Sequence, residues 1–114
     1  LLLDLHSMPP IPQRGAGLSA QFVTGDCFGA SCHADLASAM TCYLVENGCA
    51  SAYNRPYAGG YSLERHGDPA RGIHAVQLEI DRSVSVQVTT ADFANRSRSG
   101  KFFDSVMGLL RHQL

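Results

Sequence analysis

With 114 residues, a formal net charge of −1, 45% hydrophobic and 17% charged side chains, the chain has the make-up of one soluble globular domain or part of one. That charge balance excludes the one-signed field of a nucleic-acid binder or of a protein held on an anionic membrane. No apolar run is long enough to cross a bilayer.

The chain opens Leu1-Leu2-Leu3-Asp4-Leu5, which reads as the end of a buried strand. It has neither an initiator Met nor a basic leader segment, so the opening is that of a domain entered part-way, and residues upstream are expected. Pro9-Pro10-Ile11-Pro12 stops the strand, because prolines fix φ and remove backbone donors. Residues 13–31, rich in Gly, Ser and Ala, read as loop with a short strand at 21–23.

A helix is expected over 31–47. Leu36, Met40, Tyr43 and Leu44 fall on one face, Ser31 is a candidate N-cap, and Asn47-Gly48 is a stop. A strand at 49–53, a loop at 54–61 and a strand at 75–80 follow. In the last, Val76, Leu78 and Ile80 alternate with Gln77 and Glu79. A basic loop over 95–100 and a final helix over 101–112 complete a single α/β unit spanning 1–114.

Cys27, Cys32, Cys42 and Cys49 are separated by four, nine and six residues, without the Cys-x-x-Cys knuckles of a structural zinc site. Reduced thiols in a cytoplasmic protein are the expectation.

Four features carry possible chemistry. His6, near the C-terminal end of its strand, sits where open α/β sheets place ligands; it is either a metal ligand or a hydrogen-bonded structural residue. Glu79 lies among large apolar neighbours, where a carboxylate must be paired or functional: a general base, or the partner of Arg82 or Arg55. In Asn54-Arg55-Pro56-Tyr57-Ala58-Gly59-Gly60-Tyr61, Pro56 stiffens the loop and the glycines allow close approach. Arg55 offers a fork for a carboxylate, Asn54 adds donors, and the tyrosines can wall a pocket. His66 and His74 lack the spacing of a helical zinc pair, and His74 is assigned to orienting a neighbour or contacting substrate.

Taken in order, these blocks resemble the N-formylglutamate amidohydrolases, from Asp4-Leu5-His6-Ser7-Met8-Pro9 onward. The most specific stretches are 54–61 and Gly72-Ile73-His74-Ala75-Val76-Gln77-Leu78-Glu79-Ile80-Asp81-Arg82, joined by Gly25-Asp26 and 28–32. The family looks like a distant relative of zinc carboxypeptidases and aspartoacylases. The resemblance implies a three-layer α/β/α sandwich of the phosphorylase/hydrolase-like type, of which this chain is the C-terminal half. It implies zinc held by His6 and by two upstream ligands, and Glu79 as the catalytic carboxylate. It implies that Arg55 and Asn54, with Tyr57 and His74 nearby, bind an acidic N-acyl amino acid. The implied reaction is hydrolysis of N-formyl-L-glutamate to formate and glutamate, a step of histidine degradation.

The sequence departs from the family at Cys27, where the family usually has Arg after the Gly-Asp pair. Two further readings therefore stand beside this one: an amidohydrolase for another N-acyl amino acid, and an inactive member acting as a binding protein. A cysteine hydrolase using Cys27 or Cys32 with His33 is a third, which requires a low-pKa thiol.

Overall fold

The computed structural model describes residues 1–84. The expected loop at 95–100 and helix at 101–112 lie outside the described residues. Four strands form one mixed sheet: β1 (Leu2–Met8), β2 (Phe22–Gly25), β3 (Ser51–Tyr53) and β4 (Ala75–Asp81), in the order β1-β4-β2-β3. β4 runs parallel to β1 and antiparallel to β2, and β2 runs parallel to β3. Central β4 is buried at every position but Ile80, which is partly buried. It thus has a covered face on either side, and its sequence is apolar on one of them only.

On the apolar side lies α1 (Ala34–Glu46), which buries Leu36, Ala37, Met40 and Leu44. These pack with Phe22, Val76 and Leu78 into the core cluster. The helix begins three residues later than expected. Its N-cap is His33, whose side chain accepts from the Asp35 amide, whereas the Ser31 hydroxyl donates to the Ala75 carbonyl at 2.8 Å and pins the loop to the start of β4. The stop at Asn47-Gly48 forms as expected. Gly48 takes φ +78°, its amide donates to Val45, and the Cys49 amide donates to Leu44, closing the end as a Schellman turn.

Two expectations are corrected. β1 is not a buried strand. Among the described residues only β4 pairs with it, so Leu2 and Leu5 remain 40% and 49% exposed, and the strand runs on to Met8. The loop after β3 ends at Gly60 and gives way to a second helix, α2 (Tyr61–His66), whose one buried residue is Leu63. A 3-10 turn, Pro69–Arg71, then leads to β4, with Gly72 in the left-handed region at φ +73°.

Candidate active site

Residues that alternate with the α1-facing ones point to the other side of the sheet. There the parallel register sets His6 beside Glu79 and Asp4 beside Gln77. Four polar side chains on two adjacent strands therefore form one strip. Gln77 donates from Nε2 to Oε1 of Glu79 at 3.0 Å, and His6 Nε2 lies 3.0 Å from Oδ2 of Asp4.

Glu79 is 8% exposed, and burial pushes its carboxyl above the ordinary range; His6 opposes that shift and Asp4 reinforces it. A carboxyl with raised proton affinity beside an imidazole suits acid–base work. Neither expected bridge, to Arg82 or Arg55, occurs: among the described residues Glu79 enters no ion pair.

His6 is half exposed. With Nε2–H directed to Asp4, its Nδ1 keeps a lone pair, the arrangement by which a carboxylate fixes the tautomer of a ligating histidine. The donor set fits one corner of a zinc site. Among the described residues no group of three or more His, Cys, Asp or Glu is placed to hold a metal, and a catalytic zinc needs about three protein ligands.

The loop that carries Arg55 approaches the same side. Gly25 pairs with Gln77 and so shares its face, and a Cβ on Gly25 would meet the Ala58 carbonyl oxygen at 2.6 Å. Only glycine lets this loop lie on the sheet so closely. Between the loop and residues 9–19 opens a cleft of about 920 Å³, walled in part by Phe28, Asn54, Arg55 and Tyr57. Arg14 and Arg55 are its charged wall residues, and no acid is among the described walls. His6 and Glu79 are not among the wall residues of the cleft.

Asn54 is buried at φ +60°. Its Oδ1 accepts from the Asp26 amide at 2.9 Å and its Nδ2 donates to Oδ1 of Asp26 at 2.7 Å, so much of its amide is committed within the fold. His74 accepts at Nδ1 from the His33 amide at 3.1 Å, which holds the entry to α1. It precedes β4, about 16 Å along the strand from Glu79, and it does not line the cleft. Sequence reasoning missed Asp4, Asp26, Phe28 and Gln77. The i, i+2 spacings Asp4–His6 and Gln77–Glu79 were the available signal for two of them.

Cys27 and Cys32 lack the lowered thiol pKa that a cysteine hydrolase requires. Burial raises the Cys27 thiol and pushes Cys32 up to about 11, and Cys32 donates to the His33 carbonyl rather than meeting its ring.

The described residues thus combine a mixed α/β sheet, a buried carboxyl registered against a histidine that meets Asp4, and a cleft with two arginines in its wall. The family model for N-formylglutamate amidohydrolase matches residues 1–86, and the chain belongs to that family. It is 37% identical to an N-formylglutamate deformylase of Pseudomonas putida over 78% of this chain and 34% of that protein. It is 35% identical to one of Pseudomonas aeruginosa, over 70% of this chain and 31% of the relative. The crystal structure of an N-formylglutamate amidohydrolase from Ralstonia eutropha JMP134 superposes with a TM-score of 0.63 at 36% identity, over 71% of this chain and 31% of that one. The chain thus spans about a third of the length of these relatives. Among the described residues no helix is long and apolar enough to cross a membrane.

Proposed function

We propose that the protein hydrolyses N-formyl-L-glutamate to formate and L-glutamate, with Glu79 as the proton-transferring group. The observation that carries this is the placement of Glu79: buried, raised in proton affinity, and registered against His6. Glu79 takes a proton from the attacking water and returns it to the leaving amine, so one carboxyl serves as base and then as acid. Gln77 keeps the carboxyl oriented. Asp4 fixes the His6 ring. Arg55, with Tyr57 on the same cleft wall, binds a substrate carboxylate and positions the formamide, while Arg14 adds to the anion preference of the cleft. Zinc, held by His6 with ligands from outside the described residues, would supply Lewis acidity toward the formyl oxygen and a more acidic water. The sheet is proposed as part of a three-layer α/β/α sandwich.

The test is hydrolysis of N-formyl-L-glutamate by the full-length protein, with zinc removed by a chelator and then restored. Glu79→Gln is expected to lower kcat by about 10²- to 10⁴-fold with metal content unchanged. Normal turnover in that variant would sink the mechanism. Faster hydrolysis of formyl or acetyl derivatives of other amino acids would reassign the substrate.

A further inference from the structure

The Asp26 that binds Asn54 has no part in the chemistry assigned to Glu79 and His6, yet its carboxylate is among the most fully hydrogen-bonded of the described side chains. Asp26 is fully buried. Its Oδ1 accepts from Nδ2 of Asn54 at 2.7 Å and from the Gly29 amide at 3.1 Å, and its Oδ2 accepts from the Tyr53 hydroxyl. Its own amide donates to Oδ1 of Asn54, and its carbonyl accepts from the amides of Gly29 and Ser31. A carboxylate taken out of water is held by such a set of donors or not at all.

What these bonds hold is specific. Cys27, Phe28 and Gly29 follow one another at φ +52°, +55° and +88°. Cys and Phe enter the left-handed region only against a steric cost, and such strain persists where its surroundings impose it. The turn that Asp26 closes presents Phe28 to solvent, 66% exposed. On the other side, Asn54 is bound at φ +60° directly before Arg55. The two presented side chains meet: the Arg55 guanidinium carbon lies 5.7 Å from the centroid of the Phe28 ring. A guanidinium held over an aromatic face by cation–π attraction can still direct its donors to a carboxylate. Both residues line the cleft.

We propose that Asp26 is the positioning residue of a carboxylate clamp, holding Arg55 through Asn54 and Phe28 through the strained turn so that the guanidinium is preorganised for a substrate carboxylate. This rests on the reading of Arg55 as the carboxylate anchor. Preorganisation raises affinity by removing ordering costs at the moment of binding. Loss of Asp26 therefore acts on KM through Arg55, and on Glu79 chemistry little.

The experiment is a double-mutant cycle in the full-length, zinc-loaded protein with Asp26→Asn, Arg55→Ala and the pair, reading KM and kcat for N-formyl-L-glutamate. Asn is isosteric but replaces one acceptor oxygen by a donor. Asp26→Asn is expected to raise KM about tenfold with a smaller change in kcat, and to have no further effect where Arg55 is already Ala. Equal losses in both backgrounds would make Asp26 a purely structural residue and overturn the proposal. Phe28→Leu, at an exposed position where folding is not at stake, runs through the same cycle. It is expected to raise KM severalfold with Arg55 present and not without it; additive behaviour overturns the clamp even if Asp26→Asn fails to fold. If wild-type protein binds L-glutamate but does not turn over the formyl substrate, the activity reading fails alone, and the cycle is read from calorimetric affinity for L-glutamate. If it does neither, both fail.

Discussion

Thr24 shows how a single side chain can be out of step with its surroundings. It sits in β2 on the side facing α1, registered against Leu78, and is fully buried, with no hydrogen-bond partner for its hydroxyl among the described residues. Burying a hydroxyl unbonded costs about 1–3 kcal/mol, and valine has nearly the same shape with a higher preference for strands. Thr24→Val is therefore expected to raise unfolding stability by about 1 kcal/mol, seen as a higher denaturation midpoint at unchanged m. A lower midpoint would mean that the hydroxyl has a partner in solution. Nothing in the sequence marks Thr24 as unpaired, because its partnerlessness depends on what α1 brings opposite it. His6 and Glu79 could be named as candidates in advance, each beside a structural alternative, because a titratable group among apolar strand residues needs a partner or a role, whereas Asp4 in the same strand as His6 was missed. Asp26 was not legible as an anchor, since its main partner lies 28 residues away. The left-handed turn at Cys27 and Phe28 was hidden too, because neither residue type signals that conformation.

Among elements, the loop over 54–60 is the one whose position the site depends on, and Gly25 sets its height above the sheet. A methyl group there would lie 2.6 Å from the Ala58 carbonyl oxygen and 2.7 Å from its carbon, both backbone atoms that cannot swing aside. The same carbonyl accepts from the Cys27 amide at 2.7 Å, so moving it also loosens the Phe28 turn. Gly25→Ala is expected to cost about 1–3 kcal/mol of stability and to raise KM more than it lowers kcat. Gly60→Ala is the comparison: its Cβ meets nothing within 4 Å and its φ of −123° lies outside the left-handed region, so it should lose only what alanine costs at the N-cap of α2, about 0.5–1 kcal/mol, and leave KM unchanged. Equal stability in the two variants would show that the loop does not rest on Gly25. The elements most readable in advance were those with a repeated pattern. α1 has apolar residues at helical spacing and a glycine stop, and β4 has alternation over its length. α2 has six residues and one buried side chain, too short to display a period. Its existence follows from the packing of Leu63, a tertiary fact.

At the scale of the whole molecule the sequence implied an α/β unit, but not which strand is outermost or which pairs run parallel. A strand's apolar residues look the same at the edge and in the centre until its neighbours are placed, and β1 was read as buried for that reason. Its position has a physical consequence. The outward backbone groups of β1 have no strand beside them among the described residues, and Leu2 and Leu5 lie bare on opposite faces of the strand. An open edge with exposed leucines is a template for pairing with a second copy, and natural edges are commonly blunted by a lysine. If the edge is open in the whole chain, the chain is expected to self-associate as its concentration rises, giving a weight-average mass in sedimentation equilibrium above the 12.2 kDa of one chain. Leu5→Lys, on the face that α1 covers only further along the sheet, should move the population toward monomer without disturbing Glu79, which registers with His6 and faces the other way. Two outcomes would refute this: a wild-type chain that stays monomeric as its concentration rises, or a Leu5→Lys variant that associates as strongly. The second would place the association surface elsewhere, with the exposed Phe28 and Leu18 at the mouth of the cleft the next residues to replace.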